Sequence, residues 1–378
     1  MDAFRIGRIA GIDIRVHWSW FAIFFLLTWW LAEGFYSDVY EDWTAAQAWT
    51  ASVITTLVFF SSVLLHELSH SLMAKRLGLP VSSITLFIFG GVSSLTEEPS
   101  SAKQEFQVAI VGPLTSLALG GVFGLIALGG WLLASGDSPV TAIAEYLAFI
   151  NIAVSVFNML PGFPLDGGRV LRSALWAQGR SMLRATRLAS TAGTVISFVL
   201  IAVGVLSVLA GSFIGGVWFI VIGWFLRNAS EASYRQLLFR QTLEGTKVGE
   251  TLNRTYHGAP PDIFLNQLVN EYMLGYSQRC VPILVTDDLL GLVTMSDLKR
   301  VPADEWATTS AYRAMTPAAK LHVVGPEDDL THALEVMAVN DVHQLPVLER
   351  RSFLGFVTRA DVLRLIQIRS ELAPAGRA

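Results

Sequence analysis

Ser52–His70 reads SVITTLVFFSSVLLHELSH, an apolar run that ends in two imidazoles and a carboxylate. A helix passing through lipid has little use for ionisable groups, which are costly at that depth and tend to be functional. On a helix, His66 and His70 lie one turn apart on one face, with Glu67 beside the first. HExxH in that setting can hold zinc through the two imidazoles and bring the Glu to the attacking water. The plain alternative is a chance match among polar residues at a helix end. That alternative is weaker inside a span than in a soluble chain.

Composition supports a span. Of 378 residues, 52% are hydrophobic and only 15% are charged, with 11 Trp. Soluble domains are usually about a quarter charged, so this chain carries apolar surface that water cannot accommodate. The net charge of −4 shows no basic excess, which argues against a nucleic-acid partner. One cysteine, Cys280, rules out an internal disulfide framework and a Cys-rich metal site. The N-terminal stretch lacks a small-residue cleavage site, so the first apolar run is expected to be a retained anchor.

Spans of about 20 apolar residues are expected near residues 16–32, 50–73, 104–134, 140–160, 187–210 and 212–228. Gly120-Gly121 and Gly129-Gly130 are expected to bend or end the third, and the AGSFIGG turn leaves the division of the last two uncertain. With six spans, Arg5, Arg8, Arg15, Lys75, Arg76, Lys103, Arg169–Arg187, Arg227 and Arg235 fall on one side. The opposite loops, EGFYSDVYEDW and SGDSP, are acidic. Basic loops mark the cytoplasm, so both termini are expected there, in a multi-pass protein of the cell membrane. The expected organisation is a membrane domain over 1–230, a linker over 231–245, a soluble domain over 246–370 and a tail over 371–378. A cytosolic soluble domain suits the lone cysteine.

Tetrahedral zinc needs a third protein ligand and keeps its fourth position for water. His17 precedes the first span, and His257, His322, His332 and His343 lie in the soluble part. The candidate is Asp166 in FNMLPGFPLDGGR, where Pro161 and Pro164 interrupt the fourth span at the same membrane edge as HELSH. An Asp-Gly turn capping the next helix is the competing explanation.

HELSH together with Asn158, Pro161, Pro164, Leu165, Asp166 and Gly167 resembles the site-2 protease family of intramembrane zinc metalloproteases. The resemblance implies Zn2+ held by His66, His70 and Asp166, with Glu67 as general base and Asn158 binding substrate or the developing oxyanion. The Asn158 amide could instead satisfy backbone freed by Pro161. Gly112-Pro113 and Ser116 resemble the family's glycine-proline feature, which packs near the site. The implied substrate is a membrane-anchored protein, cut within or near its transmembrane segment.

Residues 82–95, SSITLFIFGGVSSL, are too short to span and rich in strand formers. They read as a hairpin folded into the membrane edge, broken at Gly90-Gly91. Ile88, Gly90 and Gly91 are expected to bind substrate, whose extended backbone would pair with the free edge. A packed loop without substrate contact is equally consistent with the sequence.

In the soluble half, CVPILVTDDLLGLVTMSDL from Cys280 recurs as QLPVLERRSFLGFVTRADV from Gln344, at an offset of 64 residues. This resembles a tandem pair of CBS domains, over 246–300 and 310–370. The expected fold is therefore a polytopic α-helical membrane protein of about six spans with a re-entrant β-hairpin, followed by an α/β CBS pair. The resemblance implies a homodimer through the pair and an adenine nucleotide, ATP or AMP, contacted by Thr294, Asp297, Thr358 and Asp361. Helix capping by those aspartates is the alternative. A CBS-gated transporter or channel, with HELSH and Asp166 lining an ion path, is the second function class.

Overall fold

A computed structural model describes residues 3–95, 99–134, 138–243 and 245–372. Residues 373–378 of the expected tail and 135–137 of the SGDSP loop lie outside it. The chain divides into two compact units, Met1–Arg235 and Gln236–Ala378.

In the first unit, six helices are long and apolar enough to cross a membrane. They are α1 (Trp18–Val39), α2 (Ala45–Arg76), α3 (Ala102–Ala134), α4 (Pro139–Asn158), α6 (Met182–Leu209) and α7 (Phe213–Leu243), whose apolar span, Phe213–Arg235, is the part inside this unit. The shorter α5 (Asp166–Ala177) follows the Pro161–Pro164 break. Local chemistry sets the starts. Thr44 and Gln47 form a reciprocal capping box at α2, and Ser138 and Ser181 cap α4 and α6.

The glycine pairs do not end α3, which runs unbroken through both. Instead they let neighbours in. A Cβ at Gly120 would come within 2.7 Å of Ile152 on α4, and one at Gly130 within 2.1 Å of Thr141 Oγ1. Small residues at such crossings allow close backbone approach where lipid supplies no hydrophobic driving force. The 231–243 stretch, expected as a linker, forms the end of α7.

A four-stranded sheet, order β1-β2-β3-β4, packs on α2 through Ile12, Ile14, Val81 and Ile84 against Leu68 and Ala74. Its strands are β1 (Ala3–Ile9), β2 (Ile12–His17), β3 (Val81–Phe87) and β4 (Gly90–Leu95). The β3–β4 hairpin matches the expected segment. The β1–β2 ribbon was not expected, since its arginines read only as flanks of the first span. It turns at Ala10-Gly11, both at positive φ (51° and 78°), as a two-residue hairpin requires. β2 then pairs with β3 in parallel, with α1 and α2 forming the crossover.

The second unit holds two hairpins, β5 (Cys280–Val285) with β6 (Asp288–Thr294) and β8 (Gln344–Glu349) with β9 (Ser352–Thr358), plus the short β7 (Thr316–Pro317). Both hairpins slip register at the same place, Ile283/Leu284 and Val347/Leu348, so the 64-residue repeat is a repeat of geometry. Helix α8 (Leu330–Val339) and helix α9 (Arg359–Leu372) help bury the core around Met337, Val347, Val357 and Val362.

Candidate active site

His66 and His70 are buried on α2, and Asp166 opens α5. His66 Nε2 and His70 Nε2 lie 3.1 and 3.2 Å from Asp166 Oδ2, and 3.2 Å from each other. Among the described residues this is the one group of His, Cys, Asp or Glu side chains arranged to hold a metal. Donors about 2.0–2.1 Å from a tetrahedral zinc are separated by about 3.3 Å, so the triangle fits that ion. Tautomers support the fit. The Val108 carbonyl can only accept, so His70 Nδ1–H donates to it at 2.6 Å and leaves the Nε2 lone pair facing Asp166. Ser116 Oγ lies 2.9 Å from His66 Nδ1, within reach to accept its N–H when Nε2 faces a metal.

Both supports come from α3. That helix can lie so close because residue 112 is glycine: a Cβ there would sit 2.1 Å from His70 Nε2 and 2.6 Å from His66 Nε2. The Gly-Pro feature and Ser116 thus pack at the site as the resemblance implied. Val108 acts through its carbonyl oxygen and carried no sequence signal.

Asp166 is placed by backbone packing. The chain from Met159 to Leu165 folds tightly after α4, and Phe163 N–H donates to Ala189 O on α6 at 3.1 Å. A Cβ on Gly167 would meet Met159 O at 2.3 Å, and one on Gly193 would meet Phe163 O at 2.0 Å. The start of α5 therefore has no room to shift.

Glu67 is half-buried, and its side chain lies against β4, where a Cβ on Gly91 would fall 2.4 Å from Glu67 Cγ. The hairpin is thereby brought to the general-base candidate. Gly90 pairs with Phe87 and Gly91 with Leu86, while Ile88 in the turn donates its N–H to Ser19 Oγ at 3.3 Å. Phe89 stacks on Phe225 of α7, ring centroids 4.1 Å apart. β4 closes one side of the sheet, and its outer edge has no strand partner among the described residues. Asn158 is the half-buried last residue of α4, and its amide has no hydrogen-bond partner among the described residues. It does not take up backbone freed by Pro161.

In the second unit, Thr294 and Asp297 form a closed capping box. Asp297 Oδ2 accepts from the Thr294 hydroxyl at 2.6 Å, and its Oδ1 accepts from Thr316 at 2.9 Å and Arg300 at 3.2 Å. Thr358 and Asp361 repeat the cap with a 2.6 Å bond, but Asp361 is more exposed and, among the described residues, its Oδ1 has only Arg364, 3.9 Å away. Capping, the alternative raised by the sequence, is what these pairs do here. Cys280 lies nearby, its thiol pushed up to about 12 by burial and by the Asp297 charge.

The sequence profile of peptidase family M50 matches residues 54–135 and 132–203, and that of the CBS domain matches 311–368. Rip3 of Mycobacterium tuberculosis, assigned by its name to the zinc metalloproteases, is 36% identical over 97% of this chain and 93% of its own length. The Synechocystis protein sll0528, similarly named, is 31% identical over 96% of this chain and 95% of its own. The solved site-2 protease of Methanocaldococcus jannaschii is 26% identical, covering 61% of this chain and 95% of that one, with a TM-score of 0.43. Of the two function classes open to the sequence, the Mycobacterium and Synechocystis relatives favour the enzyme. The chain belongs to peptidase family M50, the zinc metalloproteases of site-2 type, and carries a C-terminal CBS domain.

Proposed function

We propose that this metalloprotease cuts a membrane-anchored protein within or near its transmembrane segment, with zinc held by His66 Nε2, His70 Nε2 and Asp166 Oδ2. The observation that carries this reading is the convergence of those three atoms to within 3.2 Å, from helices far apart in sequence. Bound zinc supplies a nucleophilic water at neutral pH and polarises a carbonyl. The Glu67 carboxylate takes a proton from the attacking water and returns it to the leaving amine. Asn158, with its amide unclaimed, donates to the scissile carbonyl oxygen as charge gathers there. A helical substrate hides its peptide bonds in internal hydrogen bonds and must unwind before attack. The outer edge of β4, beside Glu67, accepts the unwound stretch as an added strand, with Ile88, Gly90 and Gly91 at its near end.

The basic loops support a cytoplasmic placement of the site, both termini and the CBS pair in the cell membrane. For the second unit the reading is control by an adenine nucleotide. Among the described residues one oxygen of Asp361 has no hydrogen bond and is offered to a ribose hydroxyl, whereas both oxygens of Asp297 are engaged. The exposed apolar Val339, Leu363 and Ile368 support pairing of two such units.

The test is cleavage of a single-span substrate in detergent, with zinc content measured on the same samples. Glu67→Gln is expected to keep about one zinc per chain and lose at least a thousandfold in cleavage, since water activation fails while the ligands stay. His66→Ala is expected to lose both. Full activity in Glu67→Gln would remove the base from the mechanism.

A further inference from the structure

The β1–β2 ribbon lies at the start of the chain, away from the groups assigned above, and its two faces differ in chemistry. Cross-strand register pairs Phe4 with Val16, Gly7 with Ile14 and Ile9 with Ile12, which puts these residues on one face. The β2 half of that face is buried: Ile12, Ile14 and Val16 are at most 4% exposed. The β1 half overhangs, leaving Phe4 62% and Ile9 43% exposed, and the bulge residue Ile6 adds a third bare side chain at 64%. The other face pairs Arg5 with Arg15 and Arg8 with Asp13.

On that second face three guanidinium groups share one carboxylate. Arg5, Arg8 and Arg15 stand 3.4, 3.7 and 3.9 Å from Asp13, each about half exposed or more. Asp13 is the only acidic residue between Ala3 and His17, so the described ribbon carries a surplus of two positive charges. Lys75 at the end of α2 adds another at the ribbon's turn, where its Nζ donates to Ala10 O at 2.7 Å. β2 passes without a break into α1, whose first residue, Trp18, is 62% exposed. Tryptophan at the mouth of a span marks the headgroup level. The ribbon is therefore tied to that depth by a direct chain connection.

We propose that the β1–β2 ribbon is an interfacial anchor for anionic phospholipid. Phe4, Ile6 and Ile9 enter the boundary between headgroups and acyl chains, and Arg5, Arg8, Arg15 and Lys75 hold phosphate. An amphipathic element with an apolar face and a cationic face binds membranes in this manner, and each basic residue near an anionic surface adds about fivefold to the attraction. Lipid is the occupant favoured over protein because the apolar overhang and the charge surplus sit together at the entry of a span. Through the β2–β3–β4 pairings, the anchor also fixes the height of β4 beside Glu67.

The test uses the full chain with Cys280→Ser, so that Ile6→Cys carries the only thiol, labelled with bimane. Nanodiscs are made of phosphatidylcholine alone or with one-quarter phosphatidylglycerol, each with or without lipid spin-labelled near the headgroup. The expected result is a blue-shifted probe quenched by the spin-labelled lipid, at least twofold more strongly with phosphatidylglycerol. Combining Arg5→Gln, Arg8→Gln and Arg15→Gln should abolish that increment while zinc content stays at the parent level. Quenching by aqueous iodide in place of lipid would overturn the proposal. So would protection from both quenchers, which would mean a protein cover, and so would lipid quenching indifferent to phosphatidylglycerol.

Discussion

A methyl group added at Gly112 has nowhere to go, since the two imidazole Nε2 atoms lie 2.1 and 2.6 Å from its ideal position. Either α3 withdraws, taking the Val108 and Ser116 supports with it, or the imidazoles turn away from Asp166. Gly112→Ala is expected to lower zinc content at least tenfold in metal analysis of purified protein. Gly121→Ala, on the same helix with open space around it, is expected to keep its zinc and gain roughly 0.5–1 kcal/mol of stability. His66, Glu67 and His70 could be read from the sequence because ionisable groups stand out against an apolar run, whereas Asp166 was legible only beside HELSH, through matched depth and the family resemblance. The Val108 carbonyl could not, because every residue has one. Asn158 and the CBS threonines were legible as motif positions, but their bonding depends on neighbours that the sequence does not place together.

Among elements, α5 is held to α3 by a buried ion pair. Arg172 on α5 reaches Glu105 on α3 with Nε at 2.5 Å and Nη2 on the same oxygen, while its guanidinium lies 5.0 Å over the Phe163 ring. Glu105 stands one turn before Val108, so the pair joins the helix that supports His70 to the helix that carries Asp166. Removing one partner of a buried pair costs about 3–5 kcal/mol, whereas replacing both with apolar residues is often neutral. Arg172→Met alone should lower the melting temperature sharply, and adding Glu105→Leu should restore most of it. The outer edge of β4 is tested in the same spirit. Successive strand N–H groups point to opposite sides, so of Val92→Pro and Ser93→Pro one removes an outward donor. That variant should lose at least tenfold in cleavage with its zinc retained, and undiminished cleavage in both would defeat strand pairing with substrate.

The β3–β4 hairpin was legible because its length and β-branched content fit no span. The β1–β2 ribbon was not, although Ile12, Ile14 and Val16 alternate with Asp13 and Arg15. A six-residue alternation beside a long apolar helix is easily taken for its charged flank. Its partner strand, β3, also lies two spans away in sequence.

At the scale of the whole chain, length and hydropathy sufficed for the spans, because each must cross the same hydrocarbon thickness. The offset of 64 residues likewise announced the internal repeat. What it could not announce was how the two copies differ. Asp297 is 2% exposed with both oxygens bonded, while one oxygen of Asp361 has no hydrogen bond among the described residues. Asp297→Ala is therefore expected to lower the stability of the second unit more than Asp361→Ala, by about 2 kcal/mol against about 1 in denaturant unfolding. Any loss of adenine-nucleotide affinity should follow Asp361→Ala.

The parallel pairing of Ile14 with Ile84 sets an order of events during synthesis. Strand β2 leaves the ribosome seventy residues ahead of the strand it must pair with, a delay of roughly 4–14 s at usual elongation rates. Through that interval both helices of the crossover have to enter the bilayer. Meanwhile the ribbon waits with an open hydrogen-bonding edge, the kind that invites wrong partners. Slow translation across residues 45–80 would lengthen the exposure, so the protein's yield in cells should depend on how promptly its second span is inserted.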